Sequence, residues 1–227
     1  RPTPASWRSI PARTRRTSPR PRRRRWASSP GRRPVATGLL GGTFDPIHMA
    51  HLIMAEAAIE DLDLDRVILV PSGVPPHKTG RPISAAEHRI EMVRRAISDD
   101  RRLEVSELET GKSSPSYTVD TVREFGKRLP EGERLHFIMG ADSLAQFFTW
   151  KDPLALLAAC EFAVAPRPGV EIGDADPRIA SRAHVLRAPM IGISSSDIRK
   201  RVAEGRTIRY LVPPSVSAYI AEKKLYT

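Results

Sequence analysis

The sequence predicts an α/β protein built on a doubly wound parallel sheet, and three features carry that expectation. From residue 35 onward, short runs rich in Val, Ile and Leu alternate with helical stretches of about 10–15 residues, the pattern of consecutive βαβ units. Right-handed crossovers between such strands put helices on both faces of one sheet. The first apolar run ends in two glycines, Gly41 and Gly42, ahead of a helix, and ligands in open α/β sheets bind at such strand ends. The 227 residues suffice for one domain of this kind with a sizeable core.

Taken in order, "VATGLL" (35–40) reads as the first strand, "MAHLIMAEAAIEDL" follows with helical spacing, and "RVILV" is the second strand. "PSGVPPHKTGRP" (71–82) is too rich in Pro and Gly for either element and reads as an exposed loop. Ser84 and Glu87 have the spacing of a capping box, which predicts the start of the helix "AAEHRIEMVRRAI". "RLEVSELE" is a third strand, "SYTVDTVREFGKRL" a helix, and "RLHFIMG" a strand. "DPLALLAAC" is a helix with Asp152 as its cap and Pro153 in its first turn, and "EFAVAPR" is a strand. "PRPGVEIGDADPR" (166–178) reads as irregular and, with 71–82, as a candidate for mobility. A short "HVLRA" strand and the helices "SSDIRKRVAEG" and "PSVSAYIAEKKL" complete the alternation; there is no internal repeat.

The formal net charge of +11 belongs to one end of the chain. Residues 1–34 hold twelve Arg and no Lys, Asp or Glu, which leaves 25 basic and 26 acidic residues beyond them. The body is therefore near neutral and offers no compositional case for nucleic-acid binding. The first 34 residues, rich in Pro, Ser, Thr and Arg, bury too little to repay ordering, so they are expected to be a disordered tail dispensable for catalysis. The stretch lacks the design of a secretory signal, since no apolar core of 7–15 residues follows the charges. The Arg-rich, acid-poor composition suits a mitochondrial-type presequence better, but its prolines oppose the amphipathic helix such a segment needs. A further expectation is that Val35 stands at a start site, with the upstream stretch read in from non-native coding sequence; an RNA-binding arm is the rival. No run of about 18 apolar residues spans a membrane, and the single Cys160 excludes an internal disulfide and reads as a small buried hydrophobe, so a cytoplasmic protein is the default.

Candidate chemistry concentrates in "GGTFDPIHMAH" (41–51). Glycines at 41 and 42 let the backbone approach a ligand, and a helix starting near His48 points its dipole end at the same space. His48 and His51, three apart, share one face of the first turn, so the loop has the makings of a polyphosphate site. A zinc helix would need histidines four apart beside a Glu, and a third ligand, and has neither. A solvated histidine pair remains the plain alternative. In "ISSSDIRKR" (193–201), Ser194 and Asp197 have capping-box spacing, while hydroxyls and Arg199 at a helix start also suit a triphosphate. "TGKSS" (110–114) is not a P-loop, because the required earlier glycine is replaced by Ser106.

Together the two motifs resemble the paired signatures of the nucleotidyltransferase superfamily, and "VPSGVPPHK", "SYTVDTV" and "GADSLAQFFTW" are similar to bacterial nicotinate-nucleotide adenylyltransferases. The resemblance covers residues 35–227 and implies a Rossmann-like nucleotidyltransferase fold. One departure is Ala50, where the family pattern favours Gly. The resemblance implies ATP and nicotinate mononucleotide as substrates, with transfer of AMP to give nicotinate adenine dinucleotide and pyrophosphate. It assigns His48, His51 and Arg199 to catalysis at the phosphates. Gly41, Gly42, Thr43, Phe44, Ser195 and Ser196 would bind ATP, with Lys78 closing over its phosphates and Gly140 and Asp142 on ribose. Tyr117, Thr118, Trp150 and Lys151 would bind the mononucleotide, its ring against Trp150 and its carboxylate at the Tyr117–Thr118 helix start. Mg²⁺ would be held mainly by ATP phosphates and water, with no protein metal cage. Pantetheine-phosphate adenylyltransferase shares the glycine-histidine loop and is the enzymatic alternative; a nucleic-acid-binding protein acting through the tail is the non-enzymatic one. The sequence leaves a homo-oligomer open.

Overall fold

The computed structural model describes residues 35–73, 83–111, 116–130 and 132–227. The expected tail (1–34), most of the 71–82 loop, and Lys78 within it lie outside the described residues.

Six parallel strands form one sheet: β1 (Ala36–Gly42), β2 (Arg66–Pro71), β3 (Leu103–Val105), β4 (Arg134–Gly140), β5 (Glu161–Ala165) and β6 (Ala183–Val185), in the order β3-β2-β1-β4-β5-β6. The chain order reverses between β1 and β4, whose register pairs Leu39 with Phe137 and Leu40 with Ile138. This crevice is where an open α/β sheet takes its ligand. Between and after the strands run α1 (Met49–Leu62), α2 (Ala86–Ala96), α3 (Thr118–Arg128), α4 (Ala141–Ala145), α5 (Pro153–Ala159), α6 (Pro177–Ala180), α7 (Ser195–Ala203) and α8 (Pro214–Glu222).

The near-continuous apolar strands are explained by burial on both faces. Successive side chains alternate, so Leu40, Leu69, Ile138 and Ala163 join one core with residues of α1, α2, α7 and α8. Leu39, Ile68, Val70, Phe137, Met139, Phe162 and Val164 point the other way, into a core shared with α3, α4 and α5. A one-residue slip of any central strand would exchange these two sets, which fixes the register. Gly38 is where β1 needs the smallest residue. A Cβ there would sit 2.8 Å from Ile138 Cδ1 and 2.9 Å from Leu64 Cδ1 and Val67 Cγ2.

Several sequence expectations are corrected. Ser84 and Glu87 form no capping box, for α2 begins after Ala85 with no side-chain cap. The Ser84 amide instead donates to Asp45 Oδ2 at 3.3 Å, and its carbonyl accepts from Arg89. "RLEVSELE" pairs over only three residues, because past Val105 the chain makes one more bond, Ser106 N to the Leu69 carbonyl, and then turns. β5 stops at Ala165, before Pro166, which has no N–H for the ladder. "HVLRA" is shortened because the Arg187 amide leaves the sheet for Asp61 Oδ2 at 2.6 Å. Residues 166–178 are more regular than expected, with an Arg167–Val170 bridge, a 3₁₀ turn at Ile172–Asp174 and the start of α6. The Asp152 cap and Pro153 at the start of α5 stand as predicted, with Asp152 accepting from Ala155 N. Ser194 likewise caps α7, its Oγ accepting from Asp197 N at 3.1 Å. Cys160 is half-buried against the second core, and burial pushes its thiol up to about 12.

Candidate active site

Two cavities open above the β1–β4 crevice. The larger, about 720 Å³, is lined by the 43–45 loop, His48 and His51 of the α1 start, Ser194, Ser195, Ser196 and Arg199 of α7, and an apolar wall that includes Ile53, Ile191 and Ile193. The smaller, about 370 Å³, is lined by Gly41, Gly42, Ser72, Tyr117, Thr118, Trp150 and Lys151. Thr43, His51, Met54, Gly140, Asp142 and Arg167 belong to both. They form a wall common to the two cavities.

The geometry of the histidines follows from how α1 starts. His48 is the N-cap residue, in extended conformation, and its main-chain N–H donates to His51 Nδ1 at 3.3 Å. That bond makes Nδ1 of His51 the acceptor, so in the neutral ring the proton sits on Nε2. The two imidazoles stack with centroids 3.7 Å apart, and Phe44 abuts His51 edge-on at 5.0 Å. Burial, followed by the charge of Arg167, lowers the His48 pKa to about 4. Burial, His48 and Arg167 hold His51 well below the ordinary histidine value. Both rings are therefore neutral hydrogen-bonding groups at pH 7, and His48 Nδ1 is buried without a partner. The amides of the α1 start are partly engaged within the fold, for Met49 N donates to the Leu211 carbonyl at 2.9 Å and His51 N to the His48 carbonyl at 3.0 Å.

The two sequence motifs are bonded to each other. Arg199 Nη1 donates to the Asp45 carbonyl at 2.6 Å, Arg199 Nη2 to Ser196 Oγ at 3.1 Å, and Ser195 Oγ to the Pro46 carbonyl at 2.9 Å. Sequence separation of about 150 residues hid this contact. Phe44 holds its turn at φ 50 with its ring in the core, and a Cβ on Gly42 would meet that ring at 2.9 Å. Gly41 and Gly42 line the smaller cavity and not the larger. Ala50 sits in the helix and lines the larger cavity.

In the smaller cavity Tyr117 is the N-cap of α3, and Lys151 lies 4.3 Å over its ring while pairing with Asp120 at 3.0 Å. Trp150 serves both packing and lining, for it stands edge-on to Phe137 at 6.0 Å and near Phe147 at 5.6 Å. Two buried hydroxyls with no partner, Ser72 Oγ and Ser116 Oγ, belong to this lining. They were not singled out from the sequence, because a lone Ser carries no signal until its missing partner is visible. Arg167 was also missed. It pairs with Asp142 at 2.9 Å across the shared wall, and "APRPG" reads as a loop until the fold brings it there. Among the described residues no three His, Cys, Asp or Glu side chains gather as a metal cage. The cavity carboxylates are instead engaged, Asp45 by Tyr226 and Ser84, Asp142 by Arg167, and Glu109 by the Thr121 hydroxyl.

The chain matches the cytidylyltransferase-like family model over residues 39–201. It is 44% identical over 200 residues to a relative from Desulfitobacterium hafniense described as "Probable nicotinate-nucleotide adenylyltransferase", covering 85% of this chain and 96% of the relative. A Moorella thermoacetica relative of the same description is 43% identical, covering 86% and 93%. Among solved structures, the Plasmodium falciparum nicotinic acid mononucleotide adenylyltransferase complexed with NaAD aligns with a TM-score of 0.70 at 21% identity. That alignment covers 85% of this chain and 97% of the other, and it bears on the fold alone. No helix among the described residues is long and apolar enough to cross a membrane. With the sheet order, the paired motifs and these similarities together, the chain belongs to the cytidylyltransferase-like family and, within it, to the nicotinate-nucleotide adenylyltransferases.

Proposed function

We propose that this protein transfers the adenylyl group of ATP to nicotinate mononucleotide, releasing pyrophosphate and forming nicotinate adenine dinucleotide. The observation that carries the reading is the pair of cavities with one shared wall. A hydroxyl- and guanidinium-lined cavity suits a triphosphate, and an aromatic one suits a pyridine ring. A phosphate oxygen of the mononucleotide attacks the α-phosphorus of ATP, and the bond to the β-phosphate breaks in line. Such a step asks for positioning and charge stabilisation, with no covalent enzyme intermediate.

His51 Nε2 donates to charge developing at the α-phosphate, and neutral His48 lies stacked behind it. Ser195, Ser196 and Arg199 bind the β- and γ-phosphates. Thr43, Phe44, Gly140 and Asp142 complete the ATP contacts around the shared wall, and Arg167 supplies countercharge there. Gly41 and Gly42 allow the mononucleotide close to the backbone. Trp150, Tyr117, Thr118 and Lys151 hold the nicotinate half, with the carboxylate at the N-terminus of α3, where its charge is favoured over a neutral amide. Ser72 and Ser116 hydroxyls are available as further donors. Mg²⁺, when bound, would be held mainly by ATP phosphates and water and would offset the phosphate charge.

The test is pyrophosphate release from ATP with nicotinate mononucleotide, its amide analogue and phosphopantetheine offered separately. Release with the acid at a kcat/KM at least about 10-fold above the amide is expected. No release with the acid, or equal efficiency with the amide, overturns the reading.

A further inference from the structure

Arg89 and Tyr226 lie outside the linings of both cavities, yet both reach the loop that carries the histidines. Arg89, on α2 and 3% exposed, donates from Nε to the Ser84 carbonyl at 3.0 Å. Its Nη1 donates to the carbonyls of Thr43 at 2.9 Å and Ser72 at 2.7 Å, and Nη2 reaches the Gly73 carbonyl at 3.5 Å. All four bonds go to main-chain oxygens, so one buried cation ties the 41–48 loop to the end of β2 and the approach to α2. Burying a guanidinium is costly unless its donors are used, and here they are used on the backbone of three segments that meet at the site.

Tyr226 approaches the same loop from the far end of the sequence. Its hydroxyl donates to Asp45 Oδ1 at 2.7 Å, and Ser84 N occupies Oδ2, so a carboxylate 3% exposed is held at both oxygens. The backbone of that same residue and the next accept from the phosphate-binding side chains, Asp45 O from Arg199 and Pro46 O from Ser195. A hydroxyl outside both cavity linings is thus two hydrogen bonds from a guanidinium in the larger cavity.

We propose that Tyr226 and Arg89 are positioning residues for adenylyl transfer. Tyr226 acts through Asp45 on Arg199 and Ser195, which line the larger cavity and not the smaller. Arg89 acts on Thr43, in the shared wall, and on Ser72, in the smaller cavity. The two are therefore distinguishable by which substrate feels their loss. This inference rests on the adenylyl-transfer reading above.

Steady-state kinetics with each substrate varied in turn provide the test. Tyr226→Phe keeps the ring and removes one bond to a charged acceptor, so KM for ATP is expected to rise about 10-fold, with KM for nicotinate mononucleotide within about twofold of wild type. A purely structural role would lower the folded fraction, scaling kcat and leaving both KM values unchanged. That result, an unaltered enzyme, or a variant that does not fold at all overturns the role of Tyr226. Arg89→Lys keeps the charge but cannot reproduce the planar fork, and both KM values are expected to rise while kcat falls. An effect on kcat alone, or none, overturns the role of Arg89. A wild-type protein that releases no pyrophosphate overturns the underlying reading, and the positioning roles fall with it.

Discussion

In the proposed transfer His51 carries the largest expected effect, because it lines both cavities and its ring is held by the His48 amide with the proton on Nε2. His51→Ala is expected to lower kcat by about 100-fold or more, the loss typical of a donor to transition-state charge. Single-turnover measurement of pyrophosphate release checks this, and unchanged turnover removes His51 from the step. His48 makes a second, pH-dependent prediction. Its pKa in the fold is about 4, below the ordinary value of about 6.5 expected when unfolded. Below that unfolded value the unfolded chain binds a proton that the folded chain refuses. Stability is thus intact above about pH 6.5 and is lost as pH falls toward 4, by up to about 3 kcal/mol for this one group. Urea midpoints of wild type and His48→Asn across that window should diverge, with the shallower slope in the variant. Equal slopes would mean that His48 titrates normally in the fold.

Among the elements, α5 shows how one side chain starts a helix that matters to the second core. Asp152 sits in the left-handed region at φ 47, accepts from Ala155 N at 3.3 Å and pairs with Arg123 at 3.0 Å. Leu156 of the helix it starts is fully buried in the core that also holds Phe147 and Phe162. The exposed ion pair contributes little, whereas the cap and the tolerance of Asp for positive φ contribute more. Asp152→Ala should cost about 1 kcal/mol and lower Tm by about 2–4 °C, while Asp152→Asn should cost less because it keeps both. Thermal unfolding of the two variants checks the order; equal losses would assign the effect to the ion pair instead. The α2 start marks the opposite case. Ser84 and Glu87 had the spacing of a cap, but the Ser84 backbone was already committed to Asp45 and Arg89, and a tertiary bond outweighed a local one.

At the scale of the whole molecule, every candidate site residue falls at position 41 or later, and the charge excess falls before position 35. Val35 itself is needed, since its carbonyl accepts from Arg134 N at 3.0 Å at the edge of β4. Deletion of residues 1–34 is therefore expected to leave kcat and both KM values within about twofold of the full chain, because a near-neutral body has no counter-charge for the arginines. A tenfold loss on deletion, measured in the pyrophosphate assay, would assign the tail a part in catalysis.

Periodicity and punctuation by themselves determined the alternation of strands and helices. The bounds of α1 and β4 and the Asp152 cap could be read from "MAHLIMAEAAIEDL", "RLHFIMG" and "DP", since those signals are local. The glycine-histidine loop and the serine-arginine helix were also legible as candidates, since each gathers its chemistry within about ten residues. Only the tertiary structure decided that Arg199 rests on the Asp45 carbonyl and that Arg167 faces Asp142 across the wall between the cavities. It also decided that Arg89 and Tyr226 hold the loop from behind. The physical reason is common to all four. Their partners lie as far as 181 residues away in sequence, and a hydrogen bond to a distant main-chain or carboxylate oxygen leaves no composition, period or spacing to read.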